Sequence, residues 1–186
     1  MKFLFVLCLF VSLNVFSQEL NFFREDINFV IDREYLHVEG YYWFANTSDK
    51  NMEMRIYFPV GDNNDRVLFD SANVFEMPQG IPQIILDKTS PGFHFEVNIK
   101  AGDTAIYKIK YRQKIMNDTA KYILRSTQTW NKPLDNAVYK LIVKDDLPIK
   151  NFSYKPDKIY HINDENIYYW ERKNFMPEYD MIFSLH

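Results

Sequence analysis

"FHFEVNIKAGDTAIYKIKYR", residues 93–112, decides the fold. Phe93, Phe95, Val97 and Ile99 alternate with His94, Glu96, Asn98 and Lys100. After the turn residues Gly102 and Asp103, Ala105, Tyr107, Ile109 and Tyr111 alternate with Lys108, Lys110 and Arg112. A period of two puts one apolar and one polar face on each strand. Such strands belong to an antiparallel sheet packed on one side only. With a short turn between them, the two runs predict a β-hairpin.

The same pattern recurs along the chain. In "NMEMRIYFPV" (51–60), Met52, Met54, Ile56, Phe58 and Val60 share a face, and Pro59 marks a strand end or edge. Further strands are predicted at 27–31, 35–46, 82–86, 121–127, 137–143, 151–154, 158–162, 166–171 and 181–185. Turn clusters such as "NTSDKN", "GDNND", "KPLDN" and "MPEYD" separate them. Gly40, inside a long aromatic run, is expected to mark a bulge or bend. No apolar stripe of helical period is present. The fold class is all-β: an antiparallel β-sandwich, with a larger N-terminal unit (18–115) and a smaller C-terminal β-module (120–186).

Composition narrows the function. "MKFLFVLCLFVSLNVFSQ" has a basic start, an apolar run and a polar-tinged end, the order of a secretory signal peptide over residues 1–17. The run falls short of the roughly 20 residues a spanning helix needs. Export to the periplasm, the cell surface or the medium is therefore expected, with no transmembrane helix in the mature chain. The single cysteine, Cys8, lies in that leader, so the remainder has no disulfide and no thiolate ligand. A net charge of −3 offers no basic footprint for nucleic acid.

The order "YLHVEGYYWFANTSDKNMEMRIYFPV", followed by "FEVNIKAGDTAIYKIKYRQKI", resembles a family of uncharacterised exported bacterial β-sandwich proteins. In that family a strand ending in an Asn-Thr or Asn-Ser turn precedes a "yFP" strand. "TWNKPLDNAVYKLIV" and "NFMPEYDMIF" are similar in layout to the second half of the same proteins. A fainter likeness is to the N-terminal β-domains of zinc aminopeptidases. Both resemblances imply a fold and no catalytic residue, and the sequence holds no "HExxH".

Chemistry-bearing motifs are sparse. None of His37, His94, His161 and His186 pairs with another at metal-ligand spacing. Asp62, Asn64 and Asp65 in "GDNND" are oxygen ligands a Ca²⁺ ion could use, but no Glu follows to complete the loop, so the stretch reads as a connection. Ser71 is in no nucleophile elbow, glycine is scarce at five, and nothing calls for a cofactor. "NTS" (46–48), "NDT" (117–119) and "NFS" (151–153) fit N-glycosylation acceptors.

Aromatic residues, 17% of the chain, are the binding candidates. Tyr42 and Trp43, and Tyr168 and Trp170, sit in consecutive runs that must point to both faces of a strand. One face can be core; the other needs a second layer, a partner or a stacked sugar ring. Trp130 is expected to anchor the crossing between the two units. The sequence therefore points to an exported, non-enzymatic module that binds another envelope or secreted protein or serves as a structural accessory. A glycan-binding module is the first alternative. A small outer-membrane β-barrel is the second, although its lumen would have to accept the Lys108, Lys110 and Arg112 row.

Overall fold

The computed structural model describes residues 19–61, 69–89 and 91–185. The expected leader (1–17) and the candidate Ca²⁺ ligands Asp62, Asn64 and Asp65 lie outside this range. The strands are β1 (Leu20–Ile31), β2 (Tyr35–Asn46), β3 (Met52–Pro59), β4 (Phe69–Met77), β5 (Ile81–Gln83), β6 (Ile85–Thr89) and β7 (Gly92–Ile99). They continue as β8 (Thr104–Lys114), β9 (Thr119–Tyr122), β10 (Leu134–Lys144), β11 (Asn151–Phe152), β12 (Lys158–Ile162), β13 (Glu165–Phe175) and β14 (Met181–Ser184). A 3-10 helix, Arg125–Trp130, follows β9 where the sequence predicts the end of a strand.

One eight-stranded sheet, in the order β12-β13-β10-β1-β2-β8-β4-β5, is the base of the molecule. Its two ends do not meet, so it is an open sheet and not a barrel. Two three-stranded sheets, β3-β7-β6 and β11-β14-β9, cover it. Both rest on the same face. Tyr107 of β8 meets Phe95 of β7, and Tyr42 of β2 meets Phe58 of β3. Phe29 of β1 meets Tyr122 of β9 and Phe183 of β14. The all-β sandwich expected from the sequence is the architecture present.

Strand pairing and apolar packing both run across residues 114–121. β1 pairs in parallel with β10, from Arg24↔Asn136 to Ile31↔Val143. A single apolar cluster holds Phe29, Tyr107, Leu141 and Phe183 together. The predicted hairpin is corrected by the structure. β7 and β8 carry the expected faces, but they lie in different sheets. The chain folds over as an arch, so the two apolar faces oppose each other across the core instead of lying side by side. Gly40 is not a bulge. β2 pairs continuously through it, and a Cβ there would lie 2.5 Å from both Ile27 Cδ1 and the Tyr42 hydroxyl, so the absent side chain makes room for those two.

Buried Asn46 holds the arch. It is 1% exposed, and its side-chain amide donates to the carbonyls of Lys50, Ile99 and Lys100 at 2.7, 3.1 and 3.1 Å. Its Oδ1 accepts from the backbone N–H and the hydroxyl of Ser48. It thus ties the β2–β3 crossing to the β7–β8 crossing, and it is closed to glycosylation in the folded chain. Asn46→Ala is expected to lower stability by about 2 kcal/mol in urea unfolding, because two crossings lose partners for buried carbonyls. An unchanged midpoint would show that the crossings hold without it.

The uncovered face of the large sheet answers the question raised by the aromatic runs. Arg24 lies 4.4 Å over the ring of Trp43, Arg112 4.5 Å over Tyr35, Lys108 5.2 Å over Tyr41, and Lys158 5.6 Å over Tyr169. Long basic side chains from neighbouring strands therefore cover the outward rings, with cation–π attraction in place of a second sheet.

Candidate functional site

The site begins with a bulge in β1. Leu20 and Phe22 point inward, and the register with β2 shifts between Phe22 and Arg24. Beyond the shift the inward set is Glu25, Ile27, Phe29 and Ile31. One extra residue in a strand exchanges its faces. An acidic residue is thereby carried into the core, opposite Tyr42 on one side and Ala137 on the other.

Glu25 is 2% exposed. Tyr139 donates to its Oε1 at 2.5 Å, and Tyr122 donates to Oε2 at 3.3 Å. The hydroxyls of Tyr42 and Tyr122 share a further bond of 3.0 Å. The result is a chain of three phenols around one carboxyl group. Burial pushes the Glu25 carboxyl up from 4.5 to about 7, opposed by the Tyr139 and Tyr122 hydrogen bonds and helped slightly by neighbouring Asp26. The hydroxyls of Tyr42, Tyr122 and Tyr139 are pushed well above their ordinary range, chiefly by burial, so they stay neutral donors. Tyr111 is raised in the same way, and its buried hydroxyl has no partner among the described residues.

This carboxyl lies on the floor of a cavity of about 550 Å³. The two covering sheets do not close over the base, and the gap between β3 and the β9–helix segment leaves the cleft. Phe22, Tyr42 and Phe44 join Glu25 on the floor; Met54, Ile56 and Phe58 of β3 form one wall; Tyr122, Ile123 and Trp130 form the other. Trp130 stands 5.9 Å from Phe22 and 5.7 Å from Phe44, ring to ring, so it anchors the 3-10 helix on the large sheet. Asp180, 4% exposed, fixes the start of that wall. It accepts from the backbone N–H groups of Leu124 and Arg125 at 3.1 and 3.0 Å and pairs with the Arg125 guanidinium at 3.1 Å.

The four aromatic candidates do not share this site. Tyr42 lines the cleft. Trp43 points to the opposite face of the large sheet, beneath Arg24. Tyr168 and Trp170 lie under the other covering sheet, against Phe152 and, for Trp170, Phe183. Glu25 and Tyr122 are missed by the sequence reading, which begins the first strand at residue 27. Among the described residues, no three His, Cys, Asp or Glu side chains come together as a metal set. His37, His94 and His161 each face one aspartate instead: Asp32, Asp87 and Asp145.

No protein-family model matches the sequence, and a comparison with curated proteins finds no match. Solved structures do match. A candidate nutrient-binding protein from Legionella pneumophila aligns with a TM-score of 0.72 and 13% identity, over 91% of this chain and 67% of that one. What is shared is the fold. An M1 zinc metallopeptidase from Deinococcus radiodurans aligns through its N-terminal domain, with a TM-score of 0.56 and 10% identity, over 89% of this chain and 42% of that one. A two-domain M1 zinc metallopeptidase variant bound to L-arginine matches in the same way, with a TM-score of 0.54 and 11% identity, over 89% of this chain and 42% of that chain. The aminopeptidase likeness read from the sequence is thus a likeness of β-domains.

Proposed function

We propose that the chain is an exported, non-enzymatic binding module that holds a small organic ligand in the cleft between its two covering sheets. The observation that carries this reading is the pairing of a cavity of about 550 Å³ with a buried carboxyl group on its floor. Small-molecule sites are concave and mostly apolar, with a few convergent polar groups to fix orientation. The cleft has both properties: rings and methylenes on its walls, and Glu25 with the Tyr122 and Tyr42 hydroxyls below. A binding role also agrees with the fold shared with the candidate nutrient-binding protein.

Blocking the cleft tests the reading. Ser126 lines it from the 3-10 helix and is half-buried, so Ser126→Trp fills the opening without touching the floor. In a ligand-observed NMR screen of small aromatic and aliphatic compounds, the parent is expected to bind members at submillimolar affinity. The blocked variant, equally folded by circular dichroism, should lose them. Equal binding by both proteins would remove the cleft as the site.

A second reading, a module that binds another envelope protein, draws on edge strand β12. Ile159 and Ile162 there are 62% and 54% exposed, and a partner strand could add to that edge through main-chain hydrogen bonds.

A further inference from the structure

We infer that the cleft selects ligands that combine an apolar or aromatic body with one cationic amine, and that the amine pairs with Glu25. This inference rests on the cleft being a binding site. It follows from where the polar groups are. Two carboxyl groups line the cleft; Asp180 is taken up by two backbone N–H groups and the Arg125 guanidinium, whereas the Oε2 of Glu25, on the Tyr122 side, holds only the longer of that group's two hydrogen bonds, 3.3 Å against 2.5 Å at Oε1. An additional donor can reach such an oxygen. An anionic ligand would meet a carboxyl with no cation beside it among the described residues, and a polyhydroxylated ligand would leave those of its hydroxyls that lie against Phe22, Phe44 and Phe58 without partners, whatever the Ser126, Thr127 and Thr129 hydroxyls of the helix wall satisfy. An ammonium group meets a counter-charge below and ring faces at its sides, both attractive to a desolvated cation.

The charges around Glu25 leave this role open. Tyr139 of β10, Tyr122 of β9 and Tyr42 of β2 face it and stay neutral. Tyr111 of β8 and Asp26 of β1 act on it only through space. The cations at the rim are neutralised: Arg125 pairs with Asp180, and Arg55 of β3 pairs with Asp87. Among the described residues, the buried carboxyl thus has phenols for company and no positive charge in contact. A ligand amine would supply that charge and favour the carboxylate over the acid. Binding below neutral pH should therefore expel the carboxyl proton to solvent.

The probes are phenethylamine and its uncharged counterpart propylbenzene, titrated calorimetrically into the full mature chain at pH 6 and pH 8 in two buffers of different ionisation enthalpy. Phenethylamine is expected to bind about tenfold more weakly at pH 6, where Glu25 is mostly protonated, than at pH 8, and to release close to one proton per molecule bound at pH 6. Propylbenzene should bind equally at both and release none. Glu25→Gln should weaken phenethylamine binding at pH 8 at least tenfold and leave propylbenzene unchanged. The proton count in the parent keeps the test independent of how that variant folds. If propylbenzene binds and the amine binds no tighter, without proton release, the cleft stands as a site and the amine assignment is overturned. If neither probe binds, the cleft reading falls, and the amine assignment with it.

Discussion

Glu25→Gln is expected to flatten the pH dependence of stability and to be the more stable protein above neutral pH. The carboxyl ionises at 4.5 ordinarily and at about 7 in the fold, because burial opposes the charged form more than the two tyrosine hydrogen bonds favour it. A raised folded value means that the folded chain holds a proton the unfolded chain has released. The stability due to this group is therefore complete below about pH 4.5 and is lost as the pH rises through 7. At 1.36 kcal/mol per unit, the loss between pH 5 and pH 8 is roughly 2–3 kcal/mol. The glutamine keeps an acceptor for Tyr139 and offers its amide to Tyr122, which can accept while donating elsewhere. Asp32, Glu39 and Asp157, all held below their ordinary range, titrate the opposite way, but they do so in both proteins and cancel in the comparison. Chemical denaturation at pH 5, 6, 7 and 8 reads the result. Parallel curves for parent and variant would mean that Glu25 is ionised or solvated in the fold, and would remove the neutral acid from the core.

Why the sequence exposes some of this and conceals the rest follows from the range of each signal. A period of two is local, so strands such as β2, β7 and β8 are legible residue by residue. Whether β7 and β8 pair is not local. A hairpin and an arch need the same alternation, and the arch here depends on Asn46, more than fifty positions upstream, reaching the carbonyls of Ile99 and Lys100. The same holds for the chain on either side of residue 115: the parallel pairing of β1 with β10, and contacts such as those of Phe29 with Tyr122 and Phe183, join residues far apart in sequence. Glu25 is an intermediate case. Leu20 and Phe22 fall on even positions, Ile27, Phe29 and Ile31 on odd ones. That change of phase within a single run requires a bulge between them, and the odd phase carries Glu25 inward. The signal is present but two residues wide. It becomes persuasive only when Tyr42, Tyr122 and Tyr139 are seen to converge on the carboxyl. The 3-10 helix is harder still, because six residues carry no apolar stripe.

Trp170→Ala and Trp43→Ala should separate sharply, although the two rings look alike in the sequence. Trp170 is 1% exposed. Its ring lies 5.8 Å from Phe152 and 6.0 Å from Phe183, and its indole N–H donates to the Tyr154 carbonyl at 2.8 Å. Truncation removes the largest side chain beneath the β11-β14-β9 sheet and leaves that carbonyl without its donor. The cost expected is about 3–5 kcal/mol, a large part of the stability of a domain this size. Trp43 faces outward under a single guanidinium, which Asp26 also holds at 2.6 Å. Losing that contact should cost only about 0.5–1 kcal/mol. Guanidinium unfolding of the two variants beside the parent measures both. Similar losses would contradict the inward and outward assignment of these strands. The difference also decides which variant can speak to sugar binding. Any loss of glycan affinity in Trp170→Ala would follow from a damaged core. Trp43→Ala keeps the fold, and a sugar that stacks there must first displace Arg24 from the ring.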